Sequence, residues 1–395
     1  GSDGRAALGS RERVHSRPTI DPGNGLRAVP TVRGRFITVQ KLRLGVIGAG
    51  SWAVSSHLPA LERHRDRVAF TIVNRRNPEL LERIRERFDF EKSTTDWEEV
   101  IAEGCDIVIV ASPVALHYEQ ARAALEAGAH VLCEKPFTID PVEAWDLVDV
   151  ARRVDRHLIL AYGWNFRPML TQARALMDGE GIGEIEQLTI HMSSHTRALL
   201  SRTGAYPRAA PESIPDQETW TDPALSGGGY GQAQFTHALG AALWLGPALR
   251  GQDVFAFMSA PLDAPVELHD AIAVRFTNGA VGSISGGSEH HGPDNERHKV
   301  DIRMIGSEGN FHIDLERERV WRYRGPGDSV MLPVQPGDGL YDCVGPIDNL
   351  VALALGSGTN AAPGELGART VEILAAAYRS AESGHAEPVA TVDRS

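Results

Sequence analysis

The stretch Leu42-Arg43-Leu44-Gly45-Val46-Ile47-Gly48-Ala49-Gly50-Ser51-Trp52-Ala53 decides how this chain is read. A mostly apolar run, Leu42–Ile47, ends in Gly-x-Gly-x-x-Ala and leads into a helical pattern over Trp52–His64. Gly48 permits the tight turn, Gly50 lets a pyrophosphate approach the backbone, and Ala53 lets the helix pack closely on the strand. Phosphates then sit at the helix N-terminus, where unpaired amides point outward. Strand, glycine turn and helix occur together, so the turn reads as a dinucleotide site. Gly48, Ala49, Gly50, Ser51 and Trp52 are its expected contacts.

The same alternation continues downstream. Val68–Val73 reads as the second strand and ends at Asn74-Arg75-Arg76. An acid there would bond the ribose 2′-hydroxyl of NAD and repel a 2′-phosphate. Two guanidinium groups in its place favour NADP over NAD. The alternative is that both arginines are solvated at the start of a helix over Pro78–Phe88. Ile107–Val110 is a continuous apolar run, as buried parallel strands are. Ser112-Pro113 ends it, and a helix from about His117 to Ala127 closes on Gly128. The next strand, His130–Cys133, runs into Glu134-Lys135-Pro136-Phe137. Lys135 thus stands at a strand's carboxyl end, where doubly wound sheets place ligands. A lysine held there serves as a positioned donor or as a base with a lowered pKa. Pro141–Asp155 and His157–Ala161 add another helix and strand. Strands and helices alternating at this interval predict a parallel sheet with right-handed crossovers.

Composition agrees with a globular protein. The chain has 395 residues, 42% hydrophobic and 23% charged, which is long for one core and predicts two domains. A net charge of −12 argues against nucleic-acid or anionic-membrane partners. Cys105, Cys133 and Cys343 are far apart, so reduced thiols in a cytoplasmic protein are expected, with no metal-ligand spacing. No apolar run reaches the ~18 residues a membrane span needs. Residues 1–36, rich in Gly, Pro and Arg, read as a disordered tail or an expression remnant, with native translation expected to start near Val39.

Four features in order resemble the glucose–fructose oxidoreductase / inositol dehydrogenase / MocA family. They are Gly48-Ala49-Gly50, Ala111-Ser112-Pro113 followed by His117, Gly128-Ala129-His130-Val131 leading to Glu134-Lys135-Pro136, and Gly163-Trp164-Asn165-Phe166-Arg167. The resemblance runs from about Lys41 to the C-terminus. It implies a Rossmann domain over 37–161 and an α+β domain with a large, mostly antiparallel open sheet over 162–395. It also implies a nicotinamide cofactor between them and a sugar, cyclitol or similar polyol as substrate. Ser112, Pro113, His117, Glu134 and Lys135 join the expected cofactor contacts. Lys135 is expected at the reacting hydroxyl, and the Lys135–Pro136 bond is expected to be cis. The open sheet implies a homodimer or homotetramer.

In the second half, strands are expected at Ile185–Ser194, Val254–Met258, Val266–Phe276, Ala280–Gly286, Lys299–Ile305 and Asn310–Asp314, with Asn278-Gly279 as a hairpin turn. His191 and His195 share one face of the first and read as sheet or cleft histidines rather than metal ligands. The long segment Arg197–Pro223 suits a substrate lid or a subunit arm. Two helical patterns over Gly345–Ser383 are expected to pack back on the first domain. The constellation Ser226-Gly227-Gly228-Gly229-Tyr230-Gly231-Gln232-Ala233-Gln234-Phe235-Thr236-His237 opens a helix with glycines. Ideal helical spacing puts Tyr230, Ala233, Gln234 and His237 on one flank. The resemblance matches His237 to the family's proton-transferring histidine, whereas the family's aspartate position is Ala233 here. Asn165, Arg167, Tyr230, Gln234 and His237 are the candidate substrate contacts, with Arg167 equally suited to a structural ion pair. His290 and His291 follow a strand and are weaker candidates for lining the site.

These readings point to an NAD(P)-dependent oxidoreductase of a sugar, glycoside or cyclitol hydroxyl, with Lys135 and His237 catalytic. One alternative retains the cofactor through a redox-neutral elimination or epimerisation. A second is a regulator that binds dinucleotide and sugar without turnover.

Overall fold

The computed structural model describes residues 40–204, 212, 214–290 and 298–390. The expected N-terminal tail and His291 lie outside the described residues. Six parallel strands form the first sheet: β1 (Leu42–Ile47), β2 (Val68–Asn74), β3 (Lys92–Thr94), β4 (Ile107–Val110), β5 (His130–Cys133) and β6 (Leu158–Leu160). Their order is β3-β2-β1-β4-β5-β6. Strand β4 is buried along its whole length because helices cover both faces. The helices start where their caps say: Asn77, Asp96 and Asp140 each accept a first-turn amide. The chain order reverses between β1 and β4, so the ends of β1, β4 and β5 open onto one crevice.

The second sheet is nine-stranded among the described residues: β7 (Ile185–Ser194), β8 (Gly251–Ser259), β9 (His269–Phe276), β10 (Val281–Ser288), β11 (Lys299–Gly306), β12 (Gly309–Asp314), β13 (Arg319–Gly325), β14 (Asp328–Met331) and β15 (Glu387–Pro388). Its order is β14-β13-β12-β11-β7-β10-β9-β8-β15, antiparallel except for the β7–β10 pair. The Asn278-Gly279 turn joins β9 to β10, with Gly279 at φ 89°. Strands β13 and β14 have no counterpart in the sequence reading. Arg322 sits fully buried in β13 and pairs with Glu180 at 2.8 Å and Asp328 at 2.5 Å. A buried arginine breaks the apolar alternation that identifies a strand.

Inward-facing Val254, Ile272, Ile284, Ile302 and Phe311 join the hydrophobic core. The helices Val344–Ala354 and Gly364–Ser383 follow the last long strands. The second runs along the helix Pro141–Arg153, where Trp145 donates to Glu372 (2.5 Å) and Arg152 pairs with Glu365 (2.7 Å). Among the described residues no helix is long and apolar enough to cross a membrane.

Candidate active site

Gly48 adopts φ +76°, and a Cβ there would lie 2.5 Å from the Ser112 nitrogen, so only glycine fits. A Cβ on Gly50 would meet nothing nearer than the Gly48 carbonyl at 3.8 Å. Open space therefore stands where a pyrophosphate must come close. Val54 donates to the Gly50 carbonyl at 3.1 Å. The amides of Ser51, Trp52 and Ala53 precede that bond, at the end of a helix that receives anions. A dinucleotide fits this turn. Asn74 holds it in place: its Oδ1 accepts from Gly48 N (3.2 Å) and its Nδ2 donates to Thr94 O (3.1 Å). Arg75 is half-buried and donates to the carbonyls of Ala49 (3.0 Å) and Glu212 (2.8 Å). Arg76 beside it is exposed.

His117 does not face the crevice as a free ligand. It is buried, with one ring nitrogen 2.9 Å from Pro136 O and the other 2.8 Å from Ser112 O. It ties the loop after β4 to the loop after β5. Burial lowers its pKa, against those carbonyls. Ser112 donates to Gln120 at 2.5 Å.

The helix after the glycine turn widens at Ala53–His57 into an i→i+5 turn. That turn delivers His57 to Glu134, Nε2 to Oε1 at 2.6 Å. The other Glu134 oxygen accepts from the Lys135 amide at 3.0 Å. Burial pushes the Glu134 carboxyl up, but the His57 bond and the charges of His57 and Lys135 outweigh it and hold the pKa below the usual range. The Lys135–Pro136 bond is cis. Lys135 reaches across the crevice, and its ammonium donates to the Ala233 carbonyl at 3.1 Å. Trp220, from the Arg197–Pro223 segment, lies with its ring centroid 5.5 Å from the same ammonium. Burial lowers the Lys135 pKa, partly offset by Glu134.

A second wide turn, Gly231–Phe235, opens the helix that carries His237. Its N-terminus is capped by a buried acid: Glu267 accepts from Gly229 (2.8 Å to each oxygen), Gly231 (3.1 Å) and the Tyr378 hydroxyl (2.5 Å). His237 is 7% exposed, and its Nδ1 has no hydrogen-bond partner in the protein. Burial first, then the charges of Lys135 and His298, hold it well below the ordinary histidine pKa. It is a neutral imidazole at pH 7. Trp164, Tyr341 and Tyr162 surround the ring, with centroids at 5.7, 4.8 and 6.4 Å. Trp52 stands 6.0 Å from Tyr341 and so joins the glycine turn to this aromatic wall.

Three candidate substrate contacts have partners within the protein. Arg167 is ion-paired with Asp342 and also donates to Gly337 O at 2.6 Å, so its charge is already answered. Asn165 is fully buried and donates to Ala361 O at 3.1 Å. Tyr230 is fully buried and donates to Met192 O at 3.1 Å, because the wide turn that follows it breaks the ideal 3.6-residue phase. Gln234 stays near the site, buried, with Oε1 unpartnered. Of the other histidines, His191 and His290 are exposed, and His195 lies 4.0 Å from Glu289. Sequence reasoning missed His57, Trp220, Glu267, His298 and Tyr341. Each acts from an element distant in the chain, and none belongs to a local motif.

A six-stranded parallel sheet with its glycine turn, facing a lysine–imidazole pair held against an open antiparallel sheet, defines a two-part dinucleotide-dependent oxidoreductase. Comparison with known proteins narrows the class. Residues 42–162 match the family described as an oxidoreductase family with an NAD-binding Rossmann fold, and residues 170–312 match the GFO/IDH/MocA C-terminal domain. The chain belongs to the GFO/IDH/MocA oxidoreductases. It is similar to levoglucosan dehydrogenase of Pseudarthrobacter phenanthrenivorans, 26% identical over 71% of this chain and 75% of that one. It is 30% identical to the D-glucoside 3-dehydrogenase of Escherichia coli over 56% of this chain and 59% of that one. Among solved structures, levoglucosan dehydrogenase in complex with NADH and L-sorbose superposes with a TM-score of 0.71 at 23% identity, covering 89% of this chain and 99% of that one. The likeness supports the fold, and the family membership makes the chain an enzyme acting on CH–OH groups.

Proposed function

We propose that the protein oxidises a ring hydroxyl of a sugar, glycoside or cyclitol, or reduces the matching ketone, with NADP preferred over NAD. The observation that carries this reading is His237 beside Lys135: a neutral imidazole with an unpartnered nitrogen next to a desolvated ammonium. Nicotinamide, when bound, supplies the hydride acceptor or donor. In the oxidative direction His237 takes the hydroxyl proton as the carbon gives up hydride, and in reduction it returns that proton. Lys135 polarises the same oxygen. Glu134, clamped by His57, keeps an opposite charge behind the lysine and fixes where it points. Buried Trp164 helps exclude water, and half-buried Tyr341 and Trp220 offer apolar surface to a sugar ring.

The NADP preference rests on the absence of a carboxylate at the end of β2 and on the exposed Arg76. The named relatives include dehydrogenases of levoglucosan and D-glucosides, which supports a carbohydrate substrate. The three free, buried thiols support a cytoplasmic location. The strand register places Phe257, Val281, Ile305, Tyr323 and Met331 on the outer face of the second sheet, all exposed. That face supports self-association into a dimer or tetramer, and a monomer by sedimentation at micromolar concentration would remove this part of the reading.

The test is a screen of sugars and cyclitols with NADP and NAD, following absorbance of the reduced nicotinamide. Turnover with at least one polyol is expected. Substrate conversion with no net change in nicotinamide absorbance would favour the internally recycled reaction instead. No conversion of any polyol would defeat the proposal.

A further inference from the structure

His298 is a titratable side chain near the proposed centre that the chemistry above does not use. His298 stands immediately ahead of β11, a strand beside the centre of the second sheet. Its ring meets the face of Trp164 edge-on, centroids 5.5 Å apart and planes at 90°. It meets Tyr341 at 6.3 Å and 73°. Both also pack against His237, alongside Tyr162. The two imidazoles therefore flank one aromatic wall, one carried by a helix and the other by the sheet.

We propose that His298 is a second substrate-facing imidazole, which hydrogen-bonds a sugar hydroxyl neighbouring the one that reacts. The proposal rests on the polyol reading above. Three observations carry it. First, the Nδ1 of His298 is buried without a hydrogen-bond partner, as is the Nδ1 of His237. Buried polar atoms of this kind need a partner from somewhere, and a ligand in the crevice is the partner both rings lack in common. Second, among the described residues the charged and titratable groups that act on His298 are Lys135, His195 and His237, with Tyr341 at its edge. Burial, then Lys135 and His195, hold its pKa at about 4, so the ring is neutral in the working range. A neutral imidazole offers one donor and one acceptor. That matches a hydroxyl, which both donates and accepts. Third, position 233 is alanine, so no carboxylate from that helix can bind the neighbouring hydroxyl. His298 fills that need from the opposite element. His237 is the closer match for proton transfer, because its own helix supplies the carbonyl that holds Lys135.

The test uses the full-length protein, His298→Ala and His298→Asn, with levoglucosan, D-glucose, D-xylose and myo-inositol as probes and NADP or NAD as cofactor. Reduced-cofactor dissociation constants are measured alongside by fluorescence. For the best probe, His298→Ala should raise KM about tenfold or more, keep kcat within about threefold and leave cofactor binding unchanged. His298→Asn should recover part of the loss. On a deoxy analogue lacking the neighbouring hydroxyl, wild type and His298→Ala should converge. An unchanged KM in His298→Ala overturns the proposal, as does a loss confined to kcat or one matched by weaker cofactor binding. If His298→Ala fails to fold, the Asn variant and the deoxy analogue decide: wild-type KM on both probes overturns it. Wild-type turnover with unaffected variants removes the role of His298 alone. No wild-type turnover of any probe removes the polyol reading and this proposal with it.

Discussion

The ammonium of Lys135 donates to the carbonyl oxygen of Ala233 at 3.1 Å, 98 residues further along the chain. This bond joins the end of β5 to the first turn of the His237 helix. It exists because that turn is wound wide, with i→i+5 bonds over Gly231–Phe235. A wide turn displaces one carbonyl from the regular ladder and offers it to a partner outside the helix. The polarising ammonium is thereby tied to the helix that carries the proposed base.

Replacing Lys135 with Met should remove the polarising charge and keep the apolar stem. We expect kcat/KM to fall by roughly 10²–10⁴, with the dissociation constant of the reduced cofactor little changed. Steady-state kinetics with fluorescence titration measure both. Near-wild-type turnover would contradict the mechanism.

The pH profile tests His237. Its folded pKa is lowered by burial, then by Lys135 and His298, to well below the ordinary histidine value of about 6.5. Protonation removes the acceptor, so the rate falls as pH drops through that folded value. The acid limb of kcat/KM for oxidation is therefore expected below pH 6.5. Ala233→Asp places a carboxylate near the ring, favours the charged form and should move the limb upward by about one unit. A wild-type limb centred above neutrality would count against His237 as the base.

Arg76 is the exposed guanidinium at the end of β2, whereas Arg75 is already bonded to Ala49 and Glu212. Substituting Arg76 by Ala should raise KM for NADP about tenfold and leave KM for NAD unchanged. Parallel titrations with the two cofactors decide this, and equal effects on both would remove Arg76 from phosphate recognition.

Asp270 offers a stability test away from the chemistry. It is 4% exposed, and neither carboxylate oxygen has a hydrogen-bond partner. Burial, then the neighbouring Glu267, raise its pKa to about 8. The folded form holds a proton that the unfolded chain releases near pH 4. Stability is therefore lost as pH rises from about 4 to about 8. Asp270→Asn removes that loss, and the variant should be more stable by on the order of 2 kcal/mol at pH 8.5, with a smaller gain at pH 5. Urea unfolding at the two pH values reads the difference. An equal or smaller gain at the higher pH would show that Asp270 is not the group responsible.

Much of this architecture is legible locally. Gly48 and Gly50 announce the turn because only glycine tolerates the first position and only an absent side chain leaves space at the second. The apolar runs of β1, β4 and β5 announce buried parallel strands. Lys135 and His237 were found through the company they keep in sequence. The bond from Tyr230 to Met192 O is not visible to periodicity, which assumes 3.6 residues per turn, whereas the wide turn breaks that phase. Strand β13 was missed because Arg322 is buried through Glu180 and Asp328, an arrangement no window of sequence displays.

By itself, then, the amino-acid order determined the parallel sheet and the dinucleotide turn, since each depends on spacing within one segment, while Lys135 and His237 were proposed for catalysis through the family resemblance. Tertiary structure alone decided what surrounds them. His57 reaches Glu134 across 77 residues, Trp220 reaches Lys135, and His298 shares an aromatic wall with His237. Burial follows the same division. The imidazole of His237 is neutral, and the ammonium of Lys135 is destabilised, because folding removes water from both, and desolvation is a property of the packed interior rather than of any neighbouring residue in the chain.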